Sequence, residues 1–568
     1  MGPQTEVGEA VHTMKYRERG ESFSDAMNRV AGALSEDPKH YRQLREVLLS
    51  MRFLPAGRIQ SAMGSARSTT AYNCFVSGTI DDSFTEGSGS IMQRAVEAAT
   101  TMRMGGGIGY DFSTLRPRGA LIRKLGSQSS GPVSFMKIFD SVCGCVSSAG
   151  HRRGAQMGVL RVDHPDIMEF INAKRDESSL TNFNISVAVT DDFMQALQRG
   201  GDYHLRHGGE WHGTASARSV WDAIMRSTWE WAEPGVLFID TINRLNNLWY
   251  CEHITATNPC AEQPLPPYGA CLLGSFNLTQ YVYRNHNTGR YEFAMHQLMD
   301  DIPIVVRAMD NVVDRARYPL REQELEAKGK RRMGLGVTGV ANALEGMGYS
   351  YGSPDFCSTL DEILAVITRE AYRASAILAE EKGSFTMYNE SSYLDNDHSF
   401  VATRLDDETK DMIRAHGIRN SHLTSIAPTG TISLCADNVS SSIEPVWSLS
   451  AKRKINTPTG QELMLVEDWG HSNKIVAKTT QQVTIDEHLA VLEVASRNVD
   501  SAVSKTLNCS DDITWEDFQA VYITAWKGGA KGCTTYRPAG SRVGIMEEAP
   551  PEGQSCTIDP VTGSRTCE

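Results

Sequence analysis

Between Asn258 and Leu278 the chain reads N-P-C-A-E-Q-P-L-P-P-Y-G-A-C-L-L-G-S-F-N-L. Prolines at 259, 264, 266 and 267 exclude a regular helix and the middle of a sheet. The stretch is therefore expected to be a stiff extended loop, in which residues i, i+2 and i+4 point the same way. Asn258, Cys260 and Glu262 would then project together, an amide, a thiol and a carboxyl on one side of a rigid tip. Cys271 follows where an apolar run begins. A lone cysteine in such a loop is usually a small buried hydrophobe; the company of Asn258 and Glu262 sets this one apart.

The rest of the composition narrows the options. A net charge of −13 over 568 residues argues against nucleic acid as the main partner, because such proteins carry a basic footprint. A nucleotide needs only a local pocket and stays admissible. No apolar run is long enough for a membrane span, and the start M-G-P-Q-T-E-V-G lacks a signal-peptide core. The expected location is the cytoplasm, where the twelve cysteines should be mostly reduced. They form no CxxC…CxxC pair, so no structural metal site is expected. Redox catalysis is the better use for a subset of them.

Along the chain, Phe23 to Leu34 and Tyr41 to Met51 have amphipathic helical spacing, and L-P-A-G-R at Leu54 to Arg58 ends the helical opening. The alternation of Tyr72, Cys74 and Val76 suits a strand, followed by a helix from Ile91 to Met104. The glycines after Met104 lack the third position of a dinucleotide fingerprint, so their expected use is close backbone approach to a ligand. A helix from Val133 to Ser147, a strand N-F-N-I-S-V-A-V-T and a helix capped by Asp191 follow. Gly201 to Gly213 carries His204, His207 and His212 without metal-ligand spacing and reads as a polar hairpin. Gly334, Gly336 and Gly339 form a G-x-G-x-x-G without its βαβ setting and read as packing glycines. Leu360 to Lys382 is a long core helix. Ser421 to Leu434 reads as a strand entering a small-residue turn, whose amides and hydroxyls from Thr429 to Ser433 could cradle an anion. Thr514 to Asp517 is a capping box, and beyond about Gly540 the composition is that of a disordered tail bearing Cys556 and Cys567.

The finger string closely resembles that of the ribonucleotide reductases, in particular the class II, adenosylcobalamin-dependent branch, where N-x-C-x-E and the next cysteine are joined by a short P-L-P-P-Y-G-A link. The resemblance covers about residues 50 to 545. It implies an α/β fold, a ten-stranded barrel of two parallel five-stranded halves with the Cys260 loop through its centre. Residues 1–70 would be a helical segment without an ATP-binding cone, 71–540 the barrel, and 541–568 a mobile redox-active tail. The implied activity is reduction of ribonucleotides to 2′-deoxyribonucleotides, with Cys260 as the thiyl radical, Glu262 as base and Asn258 orienting substrate. Cys74 and Cys271 would supply the reducing electrons. Asn73, Gly107 and the segment Pro428, Thr429, Gly430, Thr431, Ile432 and Ser433 would hold the substrate.

By the same resemblance, L-R-P-R and G-H-R-R-G-A-Q form the specificity loops, with Asp81, Arg116, Arg118, Arg153 and Gln156 as contacts or relays for dNTP or ATP effectors. A solvated basic turn is the competing reading of Arg118. Cys556 and Cys567 would pass electrons from a thioredoxin- or glutaredoxin-like reductant. From Gly540 to Cys556 a flexible chain spans about 5–6 Å × √16, roughly 20–25 Å. The ten residues between the two cysteines exceed the usual spacing of such tails, which leaves their pairing open. A homodimer is expected. The substrate is either a diphosphate or a triphosphate. Two alternatives are a class I-type catalytic subunit served by a separate metal subunit, and a nucleotide-binding homologue without catalysis. Against the first, Thr534-Thr535-Tyr536 offers a single tyrosine where a paired relay would stand.

Overall fold

The computed structural model describes residues 2–148, 152–153, 155–175, 178–457 and 460–538, and in the tail 547–548, 556–558 and 565–567. The architecture is mixed α/β. Five parallel strands lie side by side in the order Cys74–Val76, Gly107–Asp111, Gln156–Arg161, Phe183–Val189 and Gly235–Phe238. Their burial is almost continuous, as in Ile185, Val187, Ala188 and Val189, because parallel strands are covered on both faces. A second parallel set runs from Leu273–Asn277 to Gly334–Thr338. It continues through bridges from Leu335 to Thr424 and from Ile426 to Val503. Thr506–Asn508 then pairs in parallel with Gly532–Tyr536. The sets meet antiparallel at two seams, Gly235–Phe238 against Gly532–Tyr536 and Cys74–Val76 against Ala270–Cys271.

Side-chain alternation sorts the first set into two faces. Ile108, Tyr110, Leu160, Ile185 and Val187 pack outward with helices such as Ile91–Arg103, Pro132–Cys145 and Ala217–Trp231. Val76, Met157, Val159, Ala188 and Leu237 pack on the other face with Ala256 and Leu265, which flank the finger. The helix at Phe23–Leu34 begins on a Ser22/Asp25 capping box. It shares one core with the helices Glu6–Tyr16 and Pro38–Leu49 and with Phe276 and Val312.

Several local expectations need correction. Around L-P-A-G-R the chain does more than end a helix: Phe53–Pro55 pairs with Gly274 to Phe276, and a short helix, Gly57–Ala62, follows. The N-cap of the helix Asp191–Arg199 is Thr190, whose hydroxyl accepts from Phe193 N, while Asp191 sits in the first turn. After Pro428 the chain enters a helix, Gly430–Cys435. The hairpin Asp202–His207/Glu210–Ser216 forms as read, turning on left-handed Gly208 and Gly209. The strand Gly334–Thr338 accounts for its own glycines: a Cβ on Gly336 would lie 2.3 Å from Ser425 O.

Candidate active site

The finger is a hairpin. Ala256–Thr257 pairs antiparallel with Pro264–Leu265, and a tight turn caps it. Ala261 N donates to Asn258 O at 3.0 Å, closing a four-residue turn with Pro259 in its second position. Ala261 takes φ +65°. The expected extended i, i+2, i+4 projection is therefore replaced by a β-turn, since the fixed φ of Pro259 suits a turn's second position. Asn258 locks the turn from inside: its Oδ1 accepts from Gln263 N at 3.0 Å, and its backbone N donates to Gln263 O. The outcome is a division of roles, in which Asn258 and Glu262 are buried and Cys260 is exposed at the tip.

Both strand sets grip this hairpin. Asn184 Nδ2 donates to Pro259 O at 3.0 Å from the first set. Glu262 O accepts from Ser425 Oγ at 2.9 Å and Ala502 N at 2.9 Å in the second. Glycines permit the approach: a Cβ on Gly109 would stand 1.8 Å from Thr257 O, and one on Gly334 2.6 Å from Gln263 Nε2. On Gly107 it would lie 3.1 Å from Pro259 Cγ and 3.2 Å from Cys74 Sγ. That places the Cys74 thiol beside the finger.

Cys74 and Cys271 face one another across the antiparallel seam. Directly opposed residues there have Cα atoms about 4.5–5.5 Å apart, within the range of about 4.4–6.8 Å that a disulfide spans. Neither is in a disulfide. Burial, with the nearby charges of Glu262, Cys74 and Cys260 adding to it, raises the Cys271 pKa well above that of an ordinary thiol, so this thiol holds its proton. Burial also raises the Glu262 carboxyl to about 7, against a smaller opposing effect of the adjacent Asn258 amide. Glu262 Oε2, Asn258 Nδ2 and Asn73 Oδ1 are buried without a hydrogen-bond partner that meets full geometry. Polar atoms buried in this way are costly unless something polar meets them.

The Pro428–Ser433 segment leaves the strand that carries Ser425. Thr429 is left-handed, and its hydroxyl is already engaged by Thr338 Oγ1 and Ser442 N. Ser433 Oγ meets Ser441 Oγ at 3.0 Å. What the segment presents are the first-turn amides of Gly430, Thr431 and Ile432, which a helix leaves without intrahelical acceptors. In the L-R-P-R segment, Arg116 Nε binds Asp82 Oδ2 at 2.7 Å, and the exposed Arg118 reaches Glu169 Oε1 at 3.2 Å. Asp81 is exposed beside Gly89. The Gln156 amide is committed to Tyr110 OH and Phe139 O. For Arg153 the backbone pairing with Ser147 is described and the side chain lies outside the described residues. In the tail, Cys556 pairs with Cys567 in a short antiparallel ladder; the remainder, including its expected disorder, lies outside the described residues.

Reading residues alone missed Gln263, Asn184, Ser425, Asp82 and Glu169. The one signal for such contacts was the repeated G-x-G on strands at 107/109 and 334/336, which marks another backbone in close approach.

An accessible thiol at the tip of a rigid turn, with a buried carboxyl near neutrality two residues on and a facing thiol pair alongside, marks an α/β enzyme of thiol redox chemistry. Comparison with known proteins narrows that class. The family model for the ribonucleotide reductase barrel domain matches residues 72–536, and the chain belongs to the ribonucleotide reductase family. A vitamin B12-dependent ribonucleoside-diphosphate reductase of Mycobacterium tuberculosis is 35% identical over 94% of this chain and 78% of its own length. One from Thermoplasma acidophilum is 34% identical over 89% of this chain and 66% of its own. A vitamin B12-dependent ribonucleotide reductase of Streptomyces avermitilis is 25% identical over 92% and 61%.

Proposed function

We propose that this chain reduces ribonucleoside diphosphates to 2′-deoxyribonucleotides through a thiyl radical on Cys260, with adenosylcobalamin as the radical source. The observation that carries the reading is the finger itself: Cys260 exposed at its tip, Asn258 and Glu262 buried behind it, and Cys74 facing Cys271 alongside. Adenosylcobalamin, when bound, supplies the radical that removes the hydrogen atom from Cys260. An exposed tip thiol suits such a partner, and the relatives' names, as vitamin B12-dependent ribonucleoside-diphosphate reductases, favour both this cofactor and a diphosphate substrate.

The chain's own residues then divide the work. Cys260 takes the 3′ hydrogen of the ribose. Glu262, raised to about 7, is poised as a base for the 3′-hydroxyl near neutral pH. Asn258 Nδ2, beside the Glu262 carboxyl, and Asn73 Oδ1, both buried without a partner of full hydrogen-bond geometry, offer a donor and an acceptor to the sugar. The 2′-hydroxyl leaves as water. One proton from the Cys74–Cys271 pair leaves with that hydroxyl, the other, with the pair's two electrons, becomes the new C2′ hydrogen, the two sulfurs join in a disulfide, and Cys260 returns the 3′ hydrogen. A thiol kept protonated by burial, as Cys271 is, is the form needed for hydrogen delivery. Cys556 and Cys567, opposite in register, then reduce that disulfide by thiol exchange and are reduced in turn by a thioredoxin- or glutaredoxin-like protein.

The amides of Gly430, Thr431 and Ile432 would bind the substrate's phosphates. Asp81, Arg116 and Arg118 would meet dNTP or ATP effectors, with Arg153 and Gln156 relaying the signal. The order of pairings supports closure of the two sets into a ten-stranded barrel around the finger. A homodimer would cover apolar side chains such as the exposed Phe84, Met92, Val96, Leu121 and Leu125. No described helix is long and apolar enough to cross a membrane.

The test is conversion of CDP by the purified protein. Deoxycytidine diphosphate should appear only when adenosylcobalamin and a dithiol are both present. Product formed without the cofactor on adding a metal-bearing partner subunit would refute the cofactor assignment.

A further inference from the structure

The ladder that sets Cys271 against Cys74 is two residues long on one side, Ala270–Cys271. So short a ladder specifies its own register weakly, and a slip of one residue would turn Cys271 to the opposite face. Something outside the ladder must hold it. The strand enters through Tyr268, a non-glycine residue with φ +65°, a conformation that costs energy unless its surroundings enforce it.

Arg94 supplies that enforcement. It is buried on the inner face of the helix Ile91–Arg103. Its Nη1 donates to Tyr268 OH, and its guanidinium carbon lies 5.2 Å from the centre of the Tyr268 ring. Its Nε donates to Thr79 O at 2.9 Å, on the chain just beyond Val76. Glu97 Oε2, 2.7 Å from Nη1, orients the guanidinium. One side chain thus ties the chain leaving the Cys74 strand to the chain entering the Cys271 strand. Gly78 leaves room for the clamp: a Cβ there would lie 2.4 Å from Tyr268 Cζ and 2.7 Å from Arg94 Cζ. Inside the clamp, Tyr268 N donates to Ser77 O and Gly269 O accepts from Val76 N at 2.9 Å. These are the bonds that start the ladder.

We propose that Arg94 is a positioning residue for the Cys74–Cys271 thiol pair, acting through Tyr268 to hold the register in which the two thiols face. The inference rests on the reading of these cysteines as a redox couple. It also gives the helix Ile91–Arg103 two roles, because its outer face carries the exposed Met92 and Val96 and its inner face reaches the thiols.

The test is a redox titration of the full chain in dithiol/disulfide buffers. Alkylation and peptide mass spectrometry would read Cys74 and Cys271 separately, an assay independent of substrate and cofactor. In Arg94→Gln the equilibrium constant for closing the Cys74–Cys271 disulfide should fall by about tenfold, the scale of one lost charge-assisted hydrogen bond. Tyr268→Phe, which keeps the ring and loses the hydroxyl, should give a smaller fall. The double variant should fall no further than Arg94→Gln alone. A merely structural role would lower the unfolding midpoint and leave the disulfide equilibrium of the folded protein unchanged. An unchanged equilibrium in both folded single variants overturns the proposal. A parent protein in which the two cysteines never pair overturns the redox reading and this inference with it.

Discussion

Glu262 offers a test in which catalytic fitness and stability pull in opposite directions. Its carboxyl stands at about 7 in the folded chain against an ordinary 4.5, with burial as the main cause. Below pH 4.5 the group is protonated in both states and no charge is buried. As pH rises, the unfolded chain ionises first, while the folded chain keeps its proton until about pH 7. Stability therefore falls across that window and levels off above it. The difference corresponds to about 3 kcal/mol. Glu262→Gln is neutral throughout and carries no such loss. Urea-unfolding measurements on both proteins from pH 4.5 to 8.5 should show the stability gap shifting in the variant's favour by about 3 kcal/mol, whatever the offset at low pH. Glu345, also raised to about 7 by burial, is common to both proteins and cancels. The same variant should lose reduction activity, while the parent's activity rises through pH 7. Parallel stability profiles would refute the claim that Glu262 is buried as a near-neutral acid.

Three further outcomes follow from distances at the site. Gly107→Ala should fold with a loss of about 1–3 kcal/mol, yet turn over about tenfold more slowly, because its methyl would meet Pro259 and Cys74 at 3.1 and 3.2 Å; thermal melting with steady-state kinetics checks both. Cys271→Ser should leave Cys74 without a disulfide partner in oxidised protein and abolish repeated turnover with any dithiol, as alkylation mass spectrometry and product assays would read. Asp82→Ala removes a half-exposed partner of Arg116, a pair worth under about 1 kcal/mol. Its unfolding midpoint should barely move, while calorimetry should find dNTP bound more tightly by the freed guanidinium.

Much of this was legible in the chain. The helix at Phe23–Leu34 and the strand through Val76 follow from periodicity, which reports which face an element buries. The finger's composition singled out the candidate site, but its conformation was misread: prolines exclude helix and sheet interior without choosing between an extended loop and a turn. The choice fell to Asn258, whose side chain and backbone both close on Gln263, a contact between near neighbours that spacing does not show. Pairings such as Arg116 with Asp82, or Arg94 with Tyr268, join segments with no shared pattern. Only the folded backbone brings them together. The glycines at 107, 109, 334 and 336 were visible as spacing, yet what approaches them comes from elsewhere in the chain.

The most direct measurement compares the parent chain with Cys260→Ser, both supplied with CDP, adenosylcobalamin and a dithiol. The parent should form deoxycytidine diphosphate, and the variant none above background although it folds and binds nucleotide as the parent does. Deoxynucleotide produced by the Cys260→Ser protein at a rate comparable to the parent's would contradict the account at its root.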